Sequence, residues 1–258
     1  MNLGIAGRKA IVCASSRGLG KACARALAEA GCEVVINGRD AKKLEAAASE
    51  LSVAGVKVIP VAADVATAEG QKALLAACPQ PDILVNNNAG PPMRDFRELT
   101  RQQMLDGVIA NMVVAIELIQ KVIDPMCQRK FGRIVNITSG SVKMPLAGLD
   151  LSSGARAGLT AFLAGVARKV ADKNVTINNI LPGAFDTDRL RSTLSKSAEQ
   201  QGKSMDEVAA NRMAGIPAKR FGNPDEFGAA CAFLCSSHAG YITGQNLLID
   251  GGTFNGAF

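Results

Sequence analysis

About seven short apolar runs recur along the chain, separated by stretches of helical period, and this alternation constrains the fold more than any other feature. Lys9 to Ala14 (KAIVCA), Glu33 to Asn37 (EVVIN), Lys57 to Ala62, Ile83 to Val85, Arg133 to Ile137, Val175 to Leu181 and Leu247 to Asp250 read as strands. They are near-continuously apolar rather than alternating, which suits strands covered on both faces. Between them, Leu19, Ala22, Cys23, Ala26, Leu27 and Ala30 share one helix face up to Gly31. Asp40 caps a helix to about Leu51, and another, about Thr67 to Ala77, is closed by Pro79 and Pro81. Thr100 and Gln103 form a capping-box signal for a long helix running past Asn111 toward Pro125. An Ala- and Leu-rich helix starts near Ser152, and Pro224 to Leu234 is the last. Strands joined by helical crossovers give an α/β fold: a doubly wound parallel sheet, Rossmann-like, of about seven strands with helices on both faces.

No repeat or linker divides the chain, and 258 residues with 48% hydrophobic content suit one large domain. The expectation is a single dinucleotide-binding domain over 1–258, with the polar, helix-prone stretch at about 188–217 forming a substrate-side lid. The formal charge of +6 favours anionic ligands, but no basic run is long enough to suggest nucleic acid. The seven cysteines form no CxxC pair and there is one His, so no metal site is expected and the thiols read as buried side chains of a reducing compartment. No leader-like N-terminus and no apolar run of the ~18 residues a membrane span requires are found, so a cytoplasmic location is expected.

Ligands of open α/β sheets sit beyond the carboxyl ends of the strands. Two turns there carry the chemistry. After the first strand, Ser15, Ser16 and Arg17 lead to Gly18 and Gly20 at the mouth of a helix, whose N–H groups and dipole favour a pyrophosphate. After the fifth, the chain breaks at Thr138, Ser139 and Gly140, and a loop brings Ser139 toward the helix start at Ser152 to Arg156.

On these motifs the chain resembles the short-chain dehydrogenase/reductase family over essentially its whole length, in general character its 3-oxoacyl-acyl-carrier-protein reductase-like members. The family's TGxxxGxG turn maps onto Cys13, Ala14, Ser15, Ser16, Arg17, Gly18, Leu19 and Gly20, with Cys13 and Ala14 replacing the first Thr and Gly. NNAG maps onto Asn87, Asn88, Ala89 and Gly90, the Asp-Val beside adenine onto Asp64 and Val65, and the PG after the sixth strand onto Pro182 and Gly183. Thr187 falls where the family contacts the nicotinamide carboxamide. The resemblance implies an oxidoreductase acting on a carbonyl or alcohol, a small-molecule or acyl-carrier-linked substrate, and a homodimer or homotetramer to which Ile109, Val113 and Ile116 contribute unless they face the sheet.

NAD sites place a carboxylate at the end of the second strand, whereas this chain has Asn37, Gly38 and Arg39 there and Arg17 in the turn, which favours NADP(H). The alternative is that both arginines are solvated surface residues. For catalysis, Asn111 and Ser139 match the family's Asn and Ser, but the positions of its YxxxK pair hold Ser152 and Arg156. The one tyrosine, Tyr241, lies near the C-terminus. A phenol with a reference pKa of about 10 is a far better proton donor than a serine hydroxyl, and Arg stays protonated where Lys exchanges a proton, which leaves Arg156 to bind the cofactor's ribose hydroxyls and hold positive charge there. Lys143 and Asp150 are alternative proton donors or solvated loop charges. Arg189, Arg191, Lys196, Lys203 and Arg212 read as a solvated helix face or as a hint of an acidic or carrier-linked substrate. Two functions follow: an NADP(H)-dependent oxidoreductase with an atypical active site, or an NADP(H)-binding protein without dehydrogenase activity, acting as a sensor or partner subunit.

Overall fold

The computed structural model describes residues 2–52 and 56–257. Its strands are β1 (Lys9–Val12), β2 (Glu33–Gly38), β3 (Val58–Ala62), β4 (Ile83–Asn86), β5 (Gly132–Ile137), β6 (Val175–Pro182) and β7 (Asn246–Ile249). They form one parallel sheet in the order β3-β2-β1-β4-β5-β6-β7. The helices are α1 (Gly18–Glu29), α2 (Ala41–Leu51), α3 (Ala68–Ala77), α4 (Arg101–Val108), α5 (Val114–Gln128), α6 (Asp150–Val170), α7 (Asp188–Gln201), α8 (Met205–Ala214) and α9 (Pro224–Cys235).

Alternate strand residues feed two cores, as the two-residue period of a strand requires. Ala10, Val12, Val34 and Ile36 pack with Leu27 of α1, Leu44 of α2 and Phe227 and Cys231 of α9. Ile11, Val35 and Ile134 pack on the other face with Leu74 of α3, Leu118 and Val122 of α5 and Leu159 of α6. Cys231 and Cys235 are both fully buried on the α9 face, in line with the reading of the thiols as buried side chains. Ile116 packs against the second core, while Ile109 is exposed.

An asparagine ladder fixes the register of the half of the sheet that carries the second turn. Asn86, Asn136, Asn179 and Asn246 are cross-strand partners on β4, β5, β6 and β7. Asn86 Nδ2 donates to Asn136 Oδ1 (2.9 Å), Asn136 Nδ2 to Asn179 Oδ1 (3.1 Å), and Asn179 Nδ2 to Asn246 Oδ1 (2.8 Å). A one-residue slip would leave these buried amides unpaired, a cost of about 1–3 kcal/mol each.

One element departs from the sequence reading. The long helix expected from Thr100 is interrupted: the capping box at Thr100 and Gln103 forms, but Ile109–Val113 is a π-helical turn between α4 and α5. Asn111 sits inside it, and its Nδ2 donates to the Gly107 carbonyl at 3.1 Å, widening the turn. Pro125 does not end α5, which continues to Gln128. The stretch 188–217 is a pair of helices, α7 and α8, sharing a small apolar seam of Leu190, Leu194, Ala198 and Val208.

Candidate active site

The winding direction reverses at β1, which lies between β2 and β4, and the crevice over the carboxyl ends of β1 and β4 is where such sheets hold ligands. One wall is the turn after β1. β1 stops at Val12 because Ala14 takes a left-handed backbone, φ +45°, where the family pattern has glycine. Ala14 is held there by its N–H, which donates to Asn37 Oδ1 at 3.2 Å. Ser15 Oγ donates to the Val12 carbonyl and accepts from the Asn37 N–H. Gly18 also has positive φ, +57°. A methyl on Gly20 would lie 2.5 Å from the Ala14 carbonyl oxygen, so this glycine serves close helix packing.

Most helices are capped by a side chain: Asp40, Thr67, Thr100, Thr187, Ser204 and Asn223 each accept from a backbone N–H. The N-terminus of α1 has no such cap, since Arg17 supplies none. Its first N–H groups are therefore open donors facing the crevice, the arrangement that suits a phosphate.

Asn37 corrects an expectation. The sequence puts it at the cofactor, but it is 1% exposed, and its Nδ2 is spent on the Val61 and Ala63 carbonyls while its Oδ1 is spent on Ala14. It braces the turn from beneath. Gly38 allows Ser16 to approach, and Arg17 and Arg39 are exposed at the crevice mouth. Arg39 lies 3.8 Å from Asp64, a loose pairing between largely exposed groups. The Asp64 carboxylate also accepts from the Ala66 N–H, while the Val65 side chain is buried in the core and offers only backbone to the crevice.

The other wall comes from the loop after β4 and from β6 onward. Asn88 Nδ2 donates to the Ala110 carbonyl in the π turn, tying that loop to the Asn111 region at 3.2 Å. Thr187 caps α7, and its methyl faces Gly18 across the crevice. Gly183 has no room for a side chain, since a methyl would lie 2.7 Å from the Asp250 Cα, and the Pro182 carbonyl approaches Gly140. The Arg189 guanidinium lies over Gly90, where a methyl would meet its Nη2 at 3.0 Å. Sequence reading left Arg189 as one of five lid cations, either a solvated helix face or a hint of an acidic substrate, because its reach across the crevice depends on where α7 starts.

Ser139 stands at the end of β5, and α6 packs on the short turn that follows it. Ser139 Oγ accepts from the Ser141 N–H at 3.1 Å and shares a hydroxyl–hydroxyl hydrogen bond with Ser141 Oγ at 2.9 Å, in which either serine is able to donate. Ser141, which sequence reading missed, orients it. On α6, Ser152 Oγ accepts from Arg156 Nε at 3.2 Å, which leaves the hydroxyl proton free. Arg156 also donates from Nη1 to the Ile137 carbonyl at 2.7 Å. It is 8% exposed. Burial, and then the charge of Arg189, pull its pKa down to about 10. A cavity of about 20 Å³, room for one water, lies against Asn86, Asn88, Asn111 and Arg156. Asn86 Oδ1 and Asn111 Oδ1 are buried without a partner among the described residues.

Lys143 and Asp150, the alternative donors, have contacts of their own, and the one tyrosine lies at the surface. The Lys143 ammonium lies 5.5 Å over the Phe254 ring, the Asp150 carboxylate accepts from the Gly148 N–H, and Tyr241 is fully exposed.

A family model described as enoyl-(acyl carrier protein) reductase matches residues 13–253. The NADPH-dependent reductase BacG of Bacillus subtilis is 30% identical over 256 residues, covering 95% of this chain and 97% of that protein. The 3-oxoacyl-acyl-carrier-protein reductase FabG of Vibrio cholerae is 31% identical over 256 residues, covering 98% and 99%. Among solved structures, L-sorbose reductase of Gluconobacter frateurii, complexed with NADPH and L-sorbose, superposes with a TM-score of 0.93 at 29% identity, covering 99% of this chain and 100% of that one.

Proposed function

This chain belongs to the short-chain dehydrogenase/reductase family, and on that premise we propose that it is an NADP(H)-dependent reductase of a carbonyl substrate with an atypical active site. The uncapped N-terminus of α1 fits a dinucleotide pyrophosphate, held by the turn Ala14, Ser16, Arg17, Gly18, Leu19 and Gly20. Arg17 and Arg39 take the 2′-phosphate, β2 itself ending in Asn37 and Gly38 rather than in the carboxylate that would take ribose hydroxyls. Asp64 and Val65 border adenine; Asn88, Ala89, Gly90, Pro182, Gly183 and Thr187 border the nicotinamide half. The helix pair at 188–217 closes over it as a lid on a single dinucleotide-binding domain, and the exposed Ile109 suits pairing with a second copy.

Bound NADPH supplies the hydride. Ser139 and Ser152 donate hydroxyl protons toward the carbonyl oxygen, stabilising the charge that develops there. Arg156 holds Ser152 in its donor orientation and keeps a positive charge beside it. Asn111 holds the π turn open and binds the water that its cavity admits. The observation that carries the reading is that each serine oxygen accepts from a protein N–H, Ser139 from Ser141 and Ser152 from Arg156, which leaves each hydroxyl able to donate to a substrate oxygen. A strong proton donor is missing from this set. General acid catalysis is worth about 10² to 10⁴ in rate, so turnover is slow rather than abolished.

NADPH consumption against a panel of ketones and 3-oxoacyl thioesters tests this reading. We expect turnover with at least one class, and Ser139→Ala to lower kcat about 100-fold while NADPH still binds. If NADPH binds but none is consumed, and Ser152→Tyr with Arg156→Lys confers turnover, the chain is instead a nucleotide-binding sensor or partner subunit.

A further inference from the structure

Gly107 is a glycine that its backbone does not require. It lies in a continuous helical run from α4 through the π turn into α5, without positive φ, and in such a place glycine is destabilising relative to alanine. Space is what excludes a larger residue. A methyl on Gly107 would stand 2.5, 2.7 and 3.0 Å from Cδ2, Cγ and Cδ1 of Leu151, so the whole branch of that side chain lies on the glycine. Leu151 is the residue before Ser152, in the first turn of α6, and that helix begins without a side-chain cap at Leu149. The Gly107 carbonyl accepts from Asn111 Nδ2 at 3.1 Å. One small residue therefore touches the asparagine on one side and the neighbour of the serine on the other.

The contact is reciprocated about two turns further along α6. A methyl on Gly158 would stand 3.2 Å from Met112 Sδ, so a large side chain from each segment lies on a glycine of the other. On α6, positions 151 and 158 are seven apart and share a face. On the facing segment, 107 and 112 are five apart, and in a regular helix of 3.6 residues per turn such residues point about 140° away from each other. The wider π turn, Ile109–Val113, takes up part of that difference and lets both meet α6. Packing thus gives the π turn a second cause beside the Asn111 hydrogen bond. It also fixes how α6 sits against the segment that carries Asn111.

Resting on the reductase reading above, we propose that Gly107 is a positioning residue for that reaction: through Leu151 it sets where the Ser152 hydroxyl, and one turn later Arg156, stand relative to Asn111. Carbon atoms in ordinary contact are about 3.5–4.0 Å apart, so a methyl at 107 drives the start of α6 away by about 1 Å. The overlap includes the branch carbon Cγ of Leu151, which rotating the two methyls about it does not move. A misplacement of about 1 Å at a reacting group costs up to about 100-fold in rate. Met112 is unbranched and adaptable, so a methyl on Gly158 is accommodated at little cost.

The test measures kcat for NADPH-dependent reduction of an oxo compound, together with NADPH affinity, in Gly107→Ala, Leu151→Ala and the double variant. Gly107→Ala is expected to lower kcat about tenfold or more with NADPH affinity unchanged. Leu151→Ala empties the space the methyl needs, so the double variant is expected to lie within about threefold of Leu151→Ala alone. Gly165→Ala, also on α6 but with nothing within 4 Å of the added methyl, is the control: it raises Tm and leaves kcat unchanged. A second readout needs no turnover: hydrogen exchange of the first turn of α6, where the Ser153 N–H donates to the Leu149 carbonyl at 2.8 Å. Faster exchange there in Gly107→Ala, reversed in the double variant, supports the placement of Ser152 even where no NADPH is consumed, an outcome that fails the reductase reading instead. Wild-type kcat in Gly107→Ala, or a loss of the same size with Leu151 present or truncated, overturns the proposal and leaves the reductase reading intact. Unchanged exchange in that first turn, or a loss of NADPH affinity that matches the loss of kcat, overturns it as well.

Discussion

Ala14→Gly should make the protein more stable, against the usual direction of an Ala-to-Gly change. Ala14 holds φ +45°, and an L-residue in the left-handed region costs about 1–2 kcal/mol. Glycine removes that cost but gives back about 0.5–1 kcal/mol of extra chain freedom in the unfolded state. The contacts that impose the conformation are backbone ones: the Ala14 N–H donates to Asn37 Oδ1 and the Ala14 carbonyl accepts from Asn87 Nδ2 at 3.1 Å. They survive the substitution. The net expectation is a gain of about 0.5–1 kcal/mol, or about 1–4 °C in Tm for a chain of this size. Ala14→Val should lose about 1 kcal/mol or more, because a β-branched residue tolerates positive φ worst. Urea unfolding at fixed temperature reads both, provided the denaturant slope is unchanged. An Ala14→Gly variant less stable than the wild type by about 0.5–1 kcal/mol, the ordinary cost of glycine, would refute the strained turn.

Two further outcomes follow from other parts of the molecule. Arg39→Ala should weaken NADPH binding roughly tenfold to hundredfold and leave NADH binding nearly unchanged, measured by fluorescence titration; an unaltered preference contradicts the 2′-phosphate role. Glu226 is held down from its ordinary 4.5 to about 2 by the Arg220 guanidinium and then by the Asn223 N–H. A depressed carboxylate stabilises the fold above its unfolded pKa, and that contribution is lost as pH falls toward 2. Glu226→Gln should therefore show a shallower loss of Tm than the wild type between pH 4.5 and 2, and parallel profiles would contradict the pairing.

The fold is legible because strands buried on both faces and helices with one apolar stripe leave different patterns, and both patterns hold from Lys9 to Ile249. Element ends are less legible where a single backbone angle decides them. Nothing in an alanine signals that Ala14 is left-handed and that β1 stops before it. The π turn at Asn111 was invisible for a related reason, since Asn111 lies at the same helical spacing whether or not its amide bonds to Gly107. Residue type alone also misled at Asn37, where a polar side chain at a strand end reads as a ligand contact but is consumed by Ala14, Val61 and Ala63. Ser139, Ser152 and Arg156 were named from the family's motif spacing, and Arg189 only as one of five lid cations. Ser141 was not named, because its bond to Ser139 depends on the tight turn after β5.

The reductase reading stands or falls on hydride delivery. With NADPH deuterated at the transferring position of the nicotinamide and an oxo-compound substrate, the account predicts deuterium on the carbinol carbon of the product, in an amount equal to the NADPH consumed. Ser139→Ala should slow this about 100-fold without changing where the label goes. NADPH that binds tightly yet leaves no label in any product, from the wild type with acids, ketones and thioesters alike, would contradict it.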